Sequence, residues 1–412
     1  MKFAHLSDCH IGGWREDELK RLSIESFRRT VDICIQEKID FIVISGDLFN
    51  TSYPSTDALE EVVHSLKKLK DENIRVYIIP GSHDYSPSGK TMINVLEKAG
   101  LCVNVFKFKD NKLQIFTDKE TGVKIAGMCG LRGGLEKFNY KNLDKSNLEK
   151  EDGFKIFMFH SLIKEFLPKK WEMINVDDIS VLPKNFNYYA GGHPHFIEKK
   201  SFKDYGIIAY PGPLFPNNIM EIEELNHGGF YIIDDKLDIK YIPVKLKDVT
   251  CLKFNADSKS VQEFQEEILR KIGGLDLKDK ILTLRIEGTL AEGRTSDLDF
   301  KKINGYAEGA YTILKNTYKF SSKEYEELKM MEGTVEEIEK QIVNEFSKNV
   351  KFSGINVNKI NEFVNLLIKS FDKEKDEGET NTDFNNRIIR DSLDALKIRD
   401  IIKNVNRENK VK

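Results

Sequence analysis

The sequence predicts an α/β fold built as a two-sheet sandwich, followed by a small α+β domain and a C-terminal helical arm. Three observations lead there. Short apolar runs alternate with amphipathic helical stretches up to about residue 100; strand signals then crowd the chain to about residue 245; beyond Ser321 it turns helical and highly charged.

Taken in order, Lys2 to Ser7 reads as a buried strand and Glu16 to Lys38 as an amphipathic helix. Phe41-Ile42-Val43-Ile44-Ser45 is an apolar run halted by Gly46, hence a second strand. Thr56 to Asp71 sets Leu59, Val62, Val63, Leu66 and Leu69 on one helical face. Arg75 to Ile79 is a third strand, stopped by Pro80-Gly81, and Thr91 to Lys98 a shorter helix. That rhythm calls for parallel pairing. Strands are then expected at Val103 to Phe106, Leu113 to Phe116, Val123 to Met128, Lys155 to Phe159 and Tyr188 to Ala190. Three more follow at Ile207 to Tyr210, Gly229 to Asp234 and Ile239 to Val244.

Around Lys245 to Asp248 the character changes, which divides the chain into a core at 1–245, a small domain at 246–320 and an arm at 321–412. In the small domain, Val249 to Phe254, Lys280 to Ile286 and Tyr311 to Thr317 read as strands, and Val261 to Ile272 as a helix. In the arm, Ser322 to Phe346 is one long helix candidate. A second carries Ile360, Phe363, Val364, Leu367 and Phe371 on one face, and a third Ile388, Ile389, Leu393, Leu396 and Ile402. The intervening Asp372 to Asp383, charged and small polar residues with no apolar side chain, reads as a flexible linker. Helices so separated bury such faces poorly by themselves, so a partner's groove is their expected destination.

Composition narrows the class. Forty per cent hydrophobic and 32% charged residues describe a soluble globular protein with a real core. A net charge of -3 over 412 residues gives no general attraction for polyanions, so a nucleic-acid partner must be held by local patches or bound metal. The basic pairs Arg28-Arg29, Lys67-Lys68, Lys169-Lys170 and Lys199-Lys200 read as solvated charge. Five scattered cysteines without a Cys-x-x-Cys pair indicate neither a disulfide framework nor a zinc knuckle. No signal peptide and no apolar run of membrane-spanning length is visible, which fits a cytoplasmic protein.

The chemistry sits just past the strands. Asp8-Cys9-His10, Gly46-Asp47, Gly81-Ser82-His83-Asp84, His160 and Gly192-His193-Pro194-His195 each follow an apolar run. Asp8 and His10, two apart, are expected to leave the strand on one side, with Cys9 buried on the other. Gly46 permits close backbone approach, and the two oxygens of Asp47 can bridge two cations. Any single histidine here also fits a buried, hydrogen-bonded role. As a set, five of the eight histidines and two aspartates at strand ends of one fold point to a metal centre. Mixed oxygen and nitrogen ligands suit manganese, iron or zinc more than magnesium or calcium. Two metals sharing a carboxylate form a clamp for displacement at phosphorus, so the residues alone indicate a two-metal phosphoester hydrolase.

The ordered set resembles the calcineurin-like metallophosphoesterases. His5-Leu6-Ser7-Asp8-Cys9-His10-Ile11-Gly12, Ser45-Gly46-Asp47-Leu48-Phe49-Asn50 and Tyr210-Pro211-Gly212 resemble the SbcD-type break-repair nucleases. The protein phosphatases of the superfamily instead carry an arginine-containing Gly-Asp-x-Val-Asp-Arg-Gly stretch. The resemblance implies a metallophosphoesterase sandwich with a capping domain and a helical arm that docks on an SMC-like coiled-coil ATPase. It implies two Mn2+, the first held by Asp8, His10, Asp47 and His195, the second by Asp47, His160, His193 and the residue at Ser82. His83 would be catalytic, acting on the phosphate and helping to protonate the leaving oxygen. The implied activity is exonuclease on double-stranded DNA ends and endonuclease on single strands or hairpins. The implied setting is nucleoid-associated double-strand-break repair, by a homodimer that packs through the helices at Thr56 to Asp71 and Thr91 to Lys98. Ser82 departs from the pattern, which usually has asparagine there; a hydroxyl is a shorter and poorer donor to manganese than an amide oxygen. A phosphodiesterase for another substrate, or a non-catalytic scaffold with a degraded site, are the alternatives.

Overall fold

A computed structural model describes residues 1–323 except 87–88, 111, 132, 134 and 169–175, together with 364, 366–371, 373–376, 379 and 381–395. They divide into two compact units. The first comprises Met1–Ala256, Gln262–Gly288 and Asp299–Phe320, the second Asp257–Val261, Thr289–Leu298 and Ser321–Lys412.

The first unit opens with β1 (Lys2–Leu6), α1 (Asp17–Gln36), β2 (Phe41–Ser45), α2 (Thr56–Asp71), β3 (Arg75–Ile79), α3 (Met92–Lys98) and β4 (Val103–Asn104). A small hairpin, β5 (Phe108–Lys109) and β6 (Lys112–Leu113), precedes β7 (Phe116–Thr117) and β8 (Lys124–Met128). Two short helices, α4 (Glu136–Lys141) and α5 (Ser146–Lys150), lead to β9 (Lys155–His160) and β10 (Tyr188–Gly192). Then come β11 (Glu198–Ser201), β12 (Ile207–Tyr210), α6 (Ile219–Leu225), β13 (Gly228–Asp234) and β14 (Ile239–Val244).

Two six-stranded sheets result, ordered β14-β13-β1-β2-β3-β4 and β11-β12-β10-β9-β8-β7. In the first, β1, β2, β3 and β4 are parallel; in the second, β8, β9, β10 and β12 are. Strand alternation explains the layering. Phe41 and Val43 of β2 face Ile156 and Met158 of β9 and Tyr188 of β10 in the core between the sheets. Ile42 and Ile44 point the other way, into a core with Phe27 and Val31 of α1 and Val62 and Leu66 of α2. Phe157 and Phe159 of β9 fill a third core with Tyr140, Phe166 and Phe186. Each central strand is therefore buried on both faces, which is why its sequence reads as an unbroken apolar run.

The small sheet has the order β15-β16-β17, formed by β15 (Val249–Asn255), β16 (Ile281–Leu290) and β17 (Thr312–Ser322). Helices α7 (Val261–Gly273) and α8 (Phe300–Tyr306) accompany it. Ile281 and Leu314 share a buried cluster with Leu19 and Leu22 of α1, Phe215 and Ile222.

In the second unit, the Thr289 amide donates to Asp257 and the Val261 amide to the Glu292 carbonyl. Helix α9 (Asn381–Ala395) begins inside the stretch expected as linker. Arg387 of this helix pairs with Asp376 and Glu379, and Asp391 with Lys373. Most of the helix candidate at Ser322 to Phe346, together with Ile360, Phe363, Leu396 and Ile402, lies outside the described residues. Lys169-Lys170 lies outside them too. The other basic pairs are engaged locally: Arg28 with Glu25, Lys67 with Asp71, Lys68 with Asp32, Lys199 with the Ile239 carbonyl and Lys200 with Glu198. Among the described residues no helix is long and apolar enough to cross a membrane.

Candidate metal centre

The carboxyl ends of β1, β2, β3, β9 and β10 meet at one edge of the sandwich, where open α/β sheets place ligand sites. Three overlapping triads of potential ligand atoms form there: Asp8, His10 and His195; His10, Asp47 and His83; Asp8, Asp47 and His160, with the atoms of each within 4.8 Å of one another. Asp47 Oδ2 lies 3.2 Å from His160 Nε2 and 3.8 Å from His10 Nε2, which puts this carboxylate in the middle. His195 Nε2 is 3.1 Å from His10 Nε2 and 3.7 Å from Asp8 Oδ1. Apart from His83, His193 and His195, these side chains are almost wholly buried.

The backbone is bent to achieve this. Asp8, His10, Asp47 and His193 have φ of +49°, +42°, +53° and +92°, a region non-glycine residues rarely occupy. Such strain gathers at functional sites. It also changes the reason Asp8 and His10 converge: β1 ends at Leu6, and left-handed turns rather than strand alternation aim both side chains inward. Cys9 goes the other way into the helix-side core, as expected. At Gly46, with φ of +90°, a Cβ would collide with the His160 ring; at Gly192 it would strike the Ser45 carbonyl. Both close approaches therefore require glycine.

Three of the imidazoles are oriented by a second contact, whereas the buried Nδ1 of His10 has no hydrogen-bond partner. His160 Nδ1 donates to the Ser45 carbonyl at 2.7 Å, His83 Nδ1 to the Asn50 carbonyl at 2.8 Å and His195 Nδ1 to Glu221 at 2.8 Å. Since those oxygens only accept, the proton sits on Nδ1 and the Nε2 lone pair is left for the centre. The Asp8 carboxylate accepts from the Ser7 hydroxyl and, at 3.1 Å to each oxygen, from the His193 amide. Asp47 Oδ1 accepts from the His83 amide at 2.7 Å. Asp84 serves the loops around the centre. Its carboxylate accepts from the amides of Leu48, Phe49 and Gly81, tying the loop after β2 to the loop after β3.

The electrostatics call for positive charge at the centre. Burial alone would raise Asp47, but His160 and His10 outweigh it and hold this carboxylate below its ordinary range. Burial alone would lower His160, but Asp47 pushes it up to about 10. Burial pushes Asp8 up and lowers His10 to about 3. The buried Nε2 of His160 has no hydrogen-bond partner although a carboxylate lies 3.2 Å away. The two Nε2 atoms of His10 and His195 face each other at 3.1 Å. Lone pairs and carboxylates aimed at common points in a dry site are what divalent cations satisfy, so these residues fit a metal pair.

Of the residues singled out from sequence, Asp8, His10, Asp47, His83, His160 and His195 are all in these triads. His193 joins none of them; its more exposed ring stands edge-on to that of His160, centroids 5.3 Å apart. Ser82 lies at the rim, its Oγ 3.4 Å from Asp47 Oδ2. Glu221 was not evident from sequence. The available signal was Asn218 three residues before it, a helix-capping pattern: Asn218 accepts from the Glu221 amide at 3.0 Å.

A buried pair of carboxylates ringed by imidazoles, at the carboxyl edge of a two-sheet sandwich, defines a metal-dependent phosphoesterase. Residues 1–196 match the calcineurin-like phosphoesterase family. The DNA double-strand break repair protein Mre11 of Methanococcus maripaludis is 31% identical over 272 residues, 64% of this chain and 71% of that protein. The Mre11 of Sulfolobus acidocaldarius is 28% identical over 304 residues, 70% and 76% of the two chains. That of Sulfurisphaera tokodaii is 28% identical over 386 residues, 88% and 92%. The chain belongs to the Mre11/SbcD-type family of calcineurin-like phosphoesterases.

Proposed function

We propose that this chain is a manganese-dependent DNA nuclease of double-strand-break repair, acting as an exonuclease on double-stranded ends and an endonuclease on single strands or hairpins. The observation that carries the reading is the central, buried position of Asp47 between His10 and His160, within a chain that aligns with Mre11 proteins well beyond its catalytic domain. Asp8, His10, Asp47 and His195 would hold one Mn2+. Asp47, His160 and His193, with Ser82 at the rim, would hold the other. When bound, the metal pair supplies the activated water and neutralises charge on the phosphoryl oxygens.

The chain's own residues supply the rest. His83 Nδ1 stays fixed on the Asn50 carbonyl, so Nε2 is its proton-exchanging atom. The His83 ring packs edge-on against His10, centroids 4.7 Å apart, which supports the reading that Nε2 would stand beside a bound phosphate and deliver a proton to the leaving oxygen. Ser45 and Glu221 keep His160 and His195 in the tautomer that offers Nε2 inward.

The domains are read as a nuclease core at 1–245, a cap at 246–320 and an arm at 321–412 for an SMC-like ATPase. Phe371, 61% exposed, and Ile389, 58% exposed, support apolar docking by that arm. Val63 of α2 and Val95 of α3, both exposed, support a homodimer packed through those helices. The setting is the cytoplasm, at the nucleoid.

The test is cleavage of labelled hairpin and blunt double-stranded DNA by the purified full chain, with and without manganese. Manganese-dependent cutting of both is expected. Cutting of a simple phosphodiester but not of DNA would assign another substrate, and cutting of neither would assign a scaffold.

A further inference from the structure

We infer that Arg285, on the small sheet, is a positioning residue for the metal centre, acting through α6. Its guanidinium grips Glu223 with two nitrogens, Nε at 2.8 Å and Nη2 closer still, and reaches Glu287 Oε1 at 3.6 Å. Glu223 is 5% exposed and Arg285 23%, so this pair is shielded from water and stronger than a surface ion pair. Two residues earlier on the same short helix, Glu221 receives His195 Nδ1, the Asn217 amide at 2.7 Å and the Asn218 side chain at 2.5 Å. Between them Ile222 is buried against Ile281 of the small sheet.

A seven-residue helix has little stability of its own and takes its position from what it packs on. Here Arg285 of β16 fixes one face of α6 while the helix presents Glu221 to His195. The small sheet thereby sets the orientation of one imidazole of the centre. A carboxylate that orients a ligating histidine is commonly worth about 10–100-fold in metal affinity. A group acting through that carboxylate is expected to give a fraction of it.

The inference rests on the metal reading above, and its test separates the two. Manganese affinity is measured by calorimetry on the full chain and on Glu221→Gln, Arg285→Met, Glu223→Gln and the double variant Glu221→Gln/Arg285→Met, with folding followed by circular dichroism. Glu221→Gln is expected to weaken the tighter site by about 10-fold or more. Arg285→Met and Glu223→Gln are each expected to weaken it by about 3- to 10-fold, and Arg285→Met to add nothing once Glu221 is gone. For Arg285→Met the sign is informative, because removing a cation at a distance would by charge alone tighten binding of another cation. Unchanged or tighter binding by well-folded Arg285→Met and Glu223→Gln would overturn the inference, as would full additivity in the double variant. If the parent chain bound no manganese, the metal reading would fall and the inference with it.

Discussion

The two sheets are joined by buried polar groups at both ends of their strands, and the two junctions are built on opposite principles. At the amino end of β3, Asp118 from the second sheet accepts Arg75 Nε and Nη2, both at 2.9 Å, the Tyr77 hydroxyl at 2.7 Å and both donors of Thr121. Every acceptor site of that carboxylate is used by a donor of the chain itself. At the carboxyl end, Asp8 and Asp47 face imidazoles, Nε2 of His160 and Nδ1 of His10 are buried without a hydrogen bond, and four non-glycine residues sit at positive φ. The first junction is complete and serves stability. The second is left incomplete by the chain, and that incompleteness is the functional signal.

Substitutions sharpen this contrast, beginning with the largest effect. His83→Ala should lower DNA cleavage by about 100- to 10,000-fold while manganese affinity stays near that of the parent, as measured by gel assay and calorimetry. Asp118→Asn should cost about 3 kcal/mol or more of folding stability in denaturant titration, because it leaves Arg75 poorly paired, with no specific effect on manganese affinity. The pH dependence follows from the same network. Burial would raise Asp118, but Arg75, Thr121 and Tyr77 outweigh it and hold it below the ordinary carboxylate range. Its contribution is therefore full above the unfolded carboxylate's pKa of about 4 and is lost as acid protonates it in the folded state. Acid unfolding of Asp118→Asn should accordingly show less of this pH dependence than the parent.

The centre should respond in the opposite sense. Saturating manganese, at about 100 times its Kd, should stabilise the parent by about 2.7 kcal/mol in thermal melts, and chelation should remove the gain. Asp8→Asn should abolish that gain while leaving metal-free stability equal to the parent's or higher, since one buried anion of a crowded pair is gone. The smallest effect belongs to Ser82. Its Oγ is at the rim, so the second site should be the weaker one, and Ser82→Asn should tighten it by about 10-fold in calorimetry.

Much of this was legible in the sequence because strand ends are. An apolar run stopped by glycine or a polar residue marks where a parallel strand leaves the sheet, and Asp47, His160 and His193 stand at the ends of such runs, with His195 two residues further on. The convergence of Asp8 and His10 was foreseen for the wrong reason, since β1 ends two residues before Asp8 and backbone turns aim the pair. Glu221 escaped notice because α6 has only seven residues, too few to show a periodicity. Arg285 and Glu223 are 62 residues apart and Arg75 and Asp118 43, and pairings across folded layers leave no local pattern. Asp84 lay within a recognised motif, but its role depends on amides of a different loop.

The central claim is that Asp47 bridges two metals, and calorimetric titration of the full chain with manganese tests it most directly. Two ions per chain with unequal affinities are predicted, both lost or severely weakened in Asp47→Asn. A single site, or two sites that survive the loss of Asp47, would contradict it.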